Sequence, residues 1–220
     1  MPVLDEAPIL AGALAALAPL AASGAELLVV DGGSRDGSRE IAAGQGCRVV
    51  TAPRGRASQM NAGAAAARGD ALVFLHADTR LPDGALAAIG AALEGNAWGR
   101  FDVCIAGADP LLALVAAMMN LRSRLTGIAT GDQAIFVRRG AFERAGGFPP
   151  IPLMEDVALS RALKRLGPPA CLRERVTTSA RRWEKHGTLR TVFLMWRLRA
   201  AYATGADPRA LARAYDSRDA

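Results

Sequence analysis

Hydrophobic and polar positions alternate in blocks along the first half of the chain, and the blocks read as helix and strand in turn. Ala7 to Ala22 predicts a helix, Glu26 to Val30 a buried strand, Asp36 to Ala43 a short helix and Arg48 to Thr51 a second strand. Ala57 to Arg68 predicts a further helix and Ala71 to Leu75 a third strand. Strands alternating with helices predict an α/β fold with a mostly parallel sheet flanked by helices. Polar residues follow each predicted strand, at Asp31, at Pro53 to Arg56 and at His76 to Asp78. In open α/β sheets ligands bind in the crevice beyond the carboxyl ends of the strands, so the three groups are expected at one site.

A helix is predicted from Pro82 to Leu93, then a less regular section, a helix from Pro110 to Leu125, a strand from Ala134 to Arg138 and a helix from Val157 to Leu166. From Thr188 to Ala203, Leu189, Val192, Phe193, Trp196 and Ala200 recur at helical spacing, with Arg190, Arg197 and Arg199 off that stripe. This is an amphipathic helix. Packing of the stripe against the domain is expected, with a membrane interface as the alternative.

The 220 residues suit one domain with a buried core. The expected layout is a single unit with a nucleotide-binding half at 2–95, an acceptor half at 96–187 and C-terminal helices at 188–220. The net charge of +6 is carried almost wholly by arginine, which suits nucleic acid, an anionic membrane surface or an anionic small substrate. Nucleic acid is set aside, because the arginines are scattered with few aromatics and no nucleic-acid-binding motif is present. Cys47, Cys104 and Cys171 are isolated and odd in number, which predicts reduced thiols in a cytoplasmic protein. The apolar runs at 111–119 and 192–202 fall short of the roughly 20 residues a membrane span needs.

The strand ending at Val30 runs into Asp31-Gly-Gly-Ser-Arg-Asp36-Gly-Ser38, where glycine lets backbone approach a ligand closely. Asp36 stands just before a helix and is equally a cap and a site residue. Arg54-Gly-Arg56-Ala-Ser-Gln59-Met-Asn61-Ala-Gly63 opens a helix after a strand, a place suited to anions. His76-Ala77-Asp78 ends the third strand, Gly131-Asp132-Gln133 precedes another, Glu155-Asp156 stands at a helix start, and Arg181-Arg182-Trp183 gathers basic and aromatic groups.

In that order these motifs resemble the inverting glycosyltransferases of family 2. The resemblance covers residues 2 to 183, and it implies a GT-A fold and transfer of a sugar from a nucleotide-sugar donor, such as a UDP-sugar, to a small-molecule or lipid acceptor. It implies donor contacts from Pro2, Asp5 and Glu6 in an opening loop, from Asp31 to the uracil edge, and from Asp36, Arg56, Asn61, His76, Ala77 and Asp78. Asp78 matches the aspartate that holds a divalent cation, Mn2+ or Mg2+, while His76 replaces its partner and either binds the metal or contacts the ribose. Gly131, Asp132 and Gln133 would line the acceptor pocket, and Arg181, Arg182 and Trp183 would close over the diphosphate. Asp156, with Glu155, would supply the general base, although a helix cap explains the carboxylate alone about as well. The family's opening loop follows a first strand, which here is expected to precede Met1 and to be missing.

The compact length, His76-Ala77-Asp78 and Gly131-Asp132-Gln133 look most like a short bacterial subgroup linked to arsenosugar biosynthesis. They look less like the glycosyltransferase that esterifies carotenoid acids. The rivals are a sugar-phosphate nucleotidyltransferase, which would open with a Gly-rich basic loop absent near Pro2, and a nucleotide-binding protein with a decayed active site.

Overall fold

A computed structural model describes residues 1–216, with side chains as far as Tyr215. The chain runs β1 (Pro2–Val3), α1 (Ala7–Ala22), β2 (Leu28–Asp31), α2 (Ser38–Gly44), β3 (Arg48–Thr51), α3 (Arg56–Ala66), β4 (Ala71–Val73) and β5 (Thr79–Arg80). It continues with α4 (Ala85–Gly95), β6 (Trp98–Ala106), α5 (Leu111–Thr126), β7 (Phe136–Arg138), α6 (Arg139–Arg144) and α7 (Glu155–Lys164). It closes with β8 (Ala170–Ser179), α8 (Arg181–His186), α9 (Thr188–Ala203) and α10 (Pro208–Asp216).

β1, β2 and β3 form a parallel sheet with β2 in the middle, joined by crossovers through α1 and α2, as parallel strands require. The first strand, expected before Met1, is here: the Val30 N–H donates to the Met1 carbonyl at 2.8 Å and the Gly32 N–H to the Val3 carbonyl at 2.9 Å. Two residues are too few for any periodicity to reveal them. Gln59, buried on α3, ties the ends of both strands by donating to the carbonyls of Val3 and Val30, each at 2.8 Å.

The second sheet is mixed, in the order β4-β7-β6-β8-β5. β6 and β8 run parallel along nearly their whole length, and the other pairs are antiparallel. β4 is a strand as expected, but it pairs with β7, Leu72 opposite Val137, outside the parallel set. The section taken as irregular is β6, whose alternation of Phe101, Val103 and Ile105 is obscured by Gly99 and the buried Arg100. β8 also lies outside the expected elements, because Arg173, Glu174 and Arg175 are exposed in its middle.

One apolar core gathers Phe101, Val103, Ile105, Phe136 and Val176 of the second sheet with Ile89 and Leu112 from the helices over it. Another lies between α3, β4, β7 and α7, with Phe74 edge-on to Phe148 at 4.8 Å. α9 spans the expected residues but is turned over. Its buried face is Thr188, Thr191, Leu194 and Leu198, while Leu189, Phe193 and Trp196 face outward. Leu194 and Leu198 pack with Met154, Val157 and Leu211, so the rows beside the predicted stripe meet α7 and α10.

Candidate active site

Beyond β4 the chain carries His76 and Asp78 to the edge of a crevice, where they meet the turn at Gly131–Gln133. That turn is fixed by Gln133, whose carbonyl oxygen accepts from the Thr130 N–H at 3.2 Å and whose amide donates to Asn120 Oδ1 at 3.4 Å. Gln133 is fully buried. It shapes the turn and does not line the acceptor pocket as expected.

The turn aims its neighbours into the crevice. The Gly131 N–H donates to Asp156 Oδ2 at 2.9 Å, and Asp156 Oδ1 accepts from the Val157 N–H at 2.7 Å. Both contacts hold the carboxylate at the start of α7, one from the turn and one from the helix. Asp132 Oδ1 lies 3.6 Å from His76 Nδ1. Burial raises the pKa of Asp132, but His76, Arg56 and Arg182 outweigh it and hold the group below the usual carboxylate range. The His76 ring lies close against Gly131, where an added Cβ would come within 2.5 Å of Cε1.

Glu155 is buried beside Asp156, and burial followed by the Asp156 charge pushes its pKa up to about 7. Arg56 stands at the first turn of α3. Desolvation lowers its pKa, but Tyr215, Glu155, Asp132 and Asp156 more than offset this and raise it. Across the crevice Arg182 lies over the Tyr215 ring, 3.5 Å from the centroid. Tyr215 comes from α10 and had no signal in the sequence, since a tyrosine in a terminal helix matches no motif.

Asp156, Glu155, Asp132, His76, Arg56 and Arg182 are therefore brought together. Other expected site residues serve the scaffold. Asp31 is fully buried and its oxygens accept from the N–H groups of Gly33 and Ser34 at 3.0 Å. Burial raises its pKa, and those hydrogen bonds with Arg39 outweigh burial and lower it, so Asp31 shapes the turn from within. Asp36 accepts from Ala7 N–H at 2.8 Å and from Ser38 Oγ at 2.6 Å, joining the starts of α1 and α2 from one position before Gly37, the residue at the α2 N-cap. Asn61 uses both ends of its amide on the Phe148 backbone, at 2.8 and 2.9 Å, and is not turned to a donor. Ala77 is buried with Val3 and Leu10, Trp183 packs against the main core, and Pro2 is a strand residue. Asp5 accepts from the Arg35 N–H at 2.8 Å, and Glu6 forms a two-pronged pair with Arg181 at 3.2 and 3.3 Å.

Among the described residues no three histidine, cysteine or acidic side chains converge to hold a metal alone. Asp78 is half-buried, and Thr79 Oγ1 donates to its Oδ1 at 3.3 Å. Mg2+ and Mn2+ are commonly held by one or two carboxylates with substrate phosphates completing the shell. One carboxylate thus fits a cation that arrives with a diphosphate.

Residues 1–109 match the family described as Glycosyl transferase family 2. The matched stretch takes in just under half of the 220 residues. It includes Arg56, His76 and Asp78 and ends before Asp132 and Asp156. The glycosyltransferase likeness extends further in structure. A mannosyltransferase from Pyrobaculum calidifontis, solved with GDP-Man and Mn2+, matches with a TM-score of 0.65 at 20% identity, over 91% of this chain and 59% of its own. Glucosyl-3-phosphoglycerate synthase from Mycobacterium tuberculosis, solved with Mn2+, UDP and glucosyl-3-phosphoglycerate, gives 0.57 at 23% identity, over 80% of this chain and 68% of its own. A mycobacterial protein gives 0.55 at 22%, over 81% and 63%. Two of these three are longer by enough that the chain spans 59% and 63% of their length. At these identities the shared property is the GT-A fold, an α/β architecture with a parallel sheet flanked by helices. Comparison with curated proteins gives no match.

Proposed function

We propose that this chain is an inverting glycosyltransferase that moves a sugar from a nucleotide diphosphate donor to an acceptor hydroxyl or carboxyl. The observation that carries the reading is the Asp156 carboxylate, held by Gly131 beside the His76–Asp132 pair in a glycosyltransferase fold. Asp156 removes the acceptor proton as the hydroxyl attacks the anomeric carbon from the face opposite the diphosphate. The bond from carbon to acceptor oxygen forms as the bond to the diphosphate breaks, which inverts the anomeric configuration. Arg56 and Arg182 hold phosphate oxygens through their planar forks. A divalent cation at Asp78, Mn2+ or Mg2+, would neutralise charge on the leaving diphosphate.

The three parts of the chain act as one unit: 2–95 binds the donor, 96–187 the acceptor, and the C-terminal helices of 188–220 pack against the start of α7, with 217–220 outside the described residues. The UDP complexes of the mycobacterial synthase support a UDP-sugar, and the GDP-Man complex of the archaeal enzyme keeps a second base in view. The short length and the His76-Ala77-Asp78 variant support a place near the bacterial subgroup linked to arsenosugar biosynthesis, with carotenoid-acid glycosylation second. The three free cysteines support a cytoplasmic setting.

Contact with an anionic bilayer surface completes the proposal. No helix among the described residues is long and apolar enough to cross a membrane. α5 and α9 touch each other and leave Leu114, Met118, Leu121 and Leu125, with Leu189, Phe193 and Trp196, exposed at helical spacing. Residues 111–131 and 185–206 contain arginines and a lysine and no acidic residue. Apolar rows set among cations match an anionic interface. A variant with Phe193 and Trp196 changed to serine should lose binding to vesicles containing phosphatidylglycerol. Unchanged partitioning counts against the membrane contact.

The activity is tested by calorimetry with UDP, with and without Mn2+, on wild type and Asp78→Ala. Metal-dependent binding lost in the variant is expected. Folded protein that binds no nucleoside diphosphate overturns the enzyme in favour of a decayed site, and release of pyrophosphate in place of UDP points to a nucleotidyltransferase.

A further inference from the structure

A cavity of about 180 Å³ opens beside Asp156, lined by Arg122 and Thr126 of α5, Arg161 of α7, and Arg199 and Tyr202 of α9, over a floor of Ile128, Met154 and Val157. It is smaller than the roughly 300–1,000 Å³ of a whole ligand pocket, which makes it a subsite. Met154 and Val157 flank Asp156 in sequence, so the cavity adjoins the proposed base.

Its charge is unbalanced. One Nη2 of Arg122 and one of Arg199 are buried without a hydrogen-bond partner. Among the described residues neither guanidinium forms an ion pair, and nor does that of Arg161, which rests over the Tyr202 ring 5.1 Å from its centroid. Burial, and then the charges of Arg199 and Arg100, push the pKa of Arg122 down to about 10, while Asp156 acts against them. Arg199 is lowered by burial as well, opposed by Asp156 and Asp132. Buried charge without a partner is costly, and fully hydrogen-bonded arginine forks fit phosphate and carboxylate oxygens in pairs. Arg100, fully buried outside the cavity, differs in having an ion-pair partner, Asp102, although its Nε also lacks a hydrogen bond.

We infer that this cavity binds an anionic group of the acceptor, a phosphate monoester or a carboxylate, held by Arg122, Arg161 and Arg199 while the reacting oxygen lies at Asp156. The inference rests on the acceptor side of the proposed function and names its substrate class. The apolar floor takes the first carbons attached to that group. The anion is a handle and keeps its bonds through the transfer. Two sources present this chemistry: a soluble phosphorylated or carboxylated compound, or a lipid headgroup, since α5 and α9 also carry the exposed apolar rows.

The test is calorimetry with glycerol 3-phosphate against glycerol, in the presence and absence of saturating UDP and Mn2+. Parallel flotation uses vesicles containing phosphatidic acid against phosphatidylglycerol. Wild type should bind glycerol 3-phosphate and not glycerol, with Arg122→Gln and Arg199→Gln weakening it at least tenfold. Arg161→Gln, at an exposed position, guards against a misfolded variant and should weaken binding severalfold with the melting temperature unchanged. Preference for the soluble compound, or for phosphatidic acid, supports the inference and identifies the source. Equal weak binding of glycerol and glycerol 3-phosphate, with vesicle binding indifferent to the phosphate monoester, overturns it. The two readings fail separately: loss of UDP binding with arginine-dependent phosphate binding intact removes the enzyme and leaves the anion site.

Discussion

The backbone N–H of Gly131 and the Oδ2 of Asp156, 25 positions apart, meet at 2.9 Å and fix the carboxylate at the start of α7. The same glycine leaves no room for a side chain, because its Cβ would lie 2.5 Å from the His76 ring. Gly131→Ala should displace His76 and lower kcat by about 10²-fold, while Asp156→Asn should lower it by about 10³-fold, within the range of general base removal. UDP binding should survive in both. An Asp156→Asn enzyme with full turnover sinks the assignment of the base.

Glu155 gives the stability of the fold a pH dependence of definite sign. Its folded pKa of about 7 stands above the ordinary 4.5, so the folded state prefers the protonated form. Its contribution is fully present below the ordinary value and is lost as pH rises through 7. At about 1.4 kcal/mol per unit over the span from 4.5 to about 7, the loss is on the order of 3–4 kcal/mol. Glu155→Gln should therefore raise the melting temperature at pH 8 and leave it nearly unchanged at pH 4.5. Equal shifts at both pH values contradict burial of the ionised carboxyl as the source of the effect.

Asn61 distinguishes a scaffold residue from a ligand contact. Both of its amide bonds go to Phe148, which packs edge-on against Phe74 in the core. Asn61→Ala should destabilise by about 1–3 kcal/mol through the backbone groups left unpaired. The Kd for UDP, measured well below the melting transition, should stay within twofold. A tenfold weaker Kd in a protein of normal stability would return Asn61 to the donor site.

Glu6 holds Arg181 across the crevice from the opening loop, and both side chains reach solvent. An exposed pair of this kind contributes about 0–1 kcal/mol to stability. Glu6→Gln should leave the melting temperature within about 2 °C and release Arg181 towards the diphosphate, tightening UDP binding severalfold. Weaker binding in the variant means that Glu6 itself touches the nucleotide.

The sequence carried the stretch from α1 to α3 well, because the elements there repeat with one clean period. α1 and β3 fall where the pattern places them, and His76 and Asp132 lie 3.6 Å apart. The failures share a cause. Arg100 and the Arg173-Glu174-Arg175 run hid β6 and β8, because their charges find partners or solvent that only the tertiary structure provides. Asp31 and Asn61 have the polarity of ligand contacts yet spend it on backbone, and side-chain type alone does not say which. The arginines of the cavity lie on three different helices, so no local spacing could gather them.

The outward rows on α5 and α9 also govern how the purified protein behaves. In plain buffer at high concentration, Leu125, Phe193 and Trp196, all more than 60% exposed, have only other copies to shelter against. Apparent mass by sizing or sedimentation should then rise with concentration and fall back when a mild detergent is added, so a particle size measured without lipid describes the preparation and not the working state.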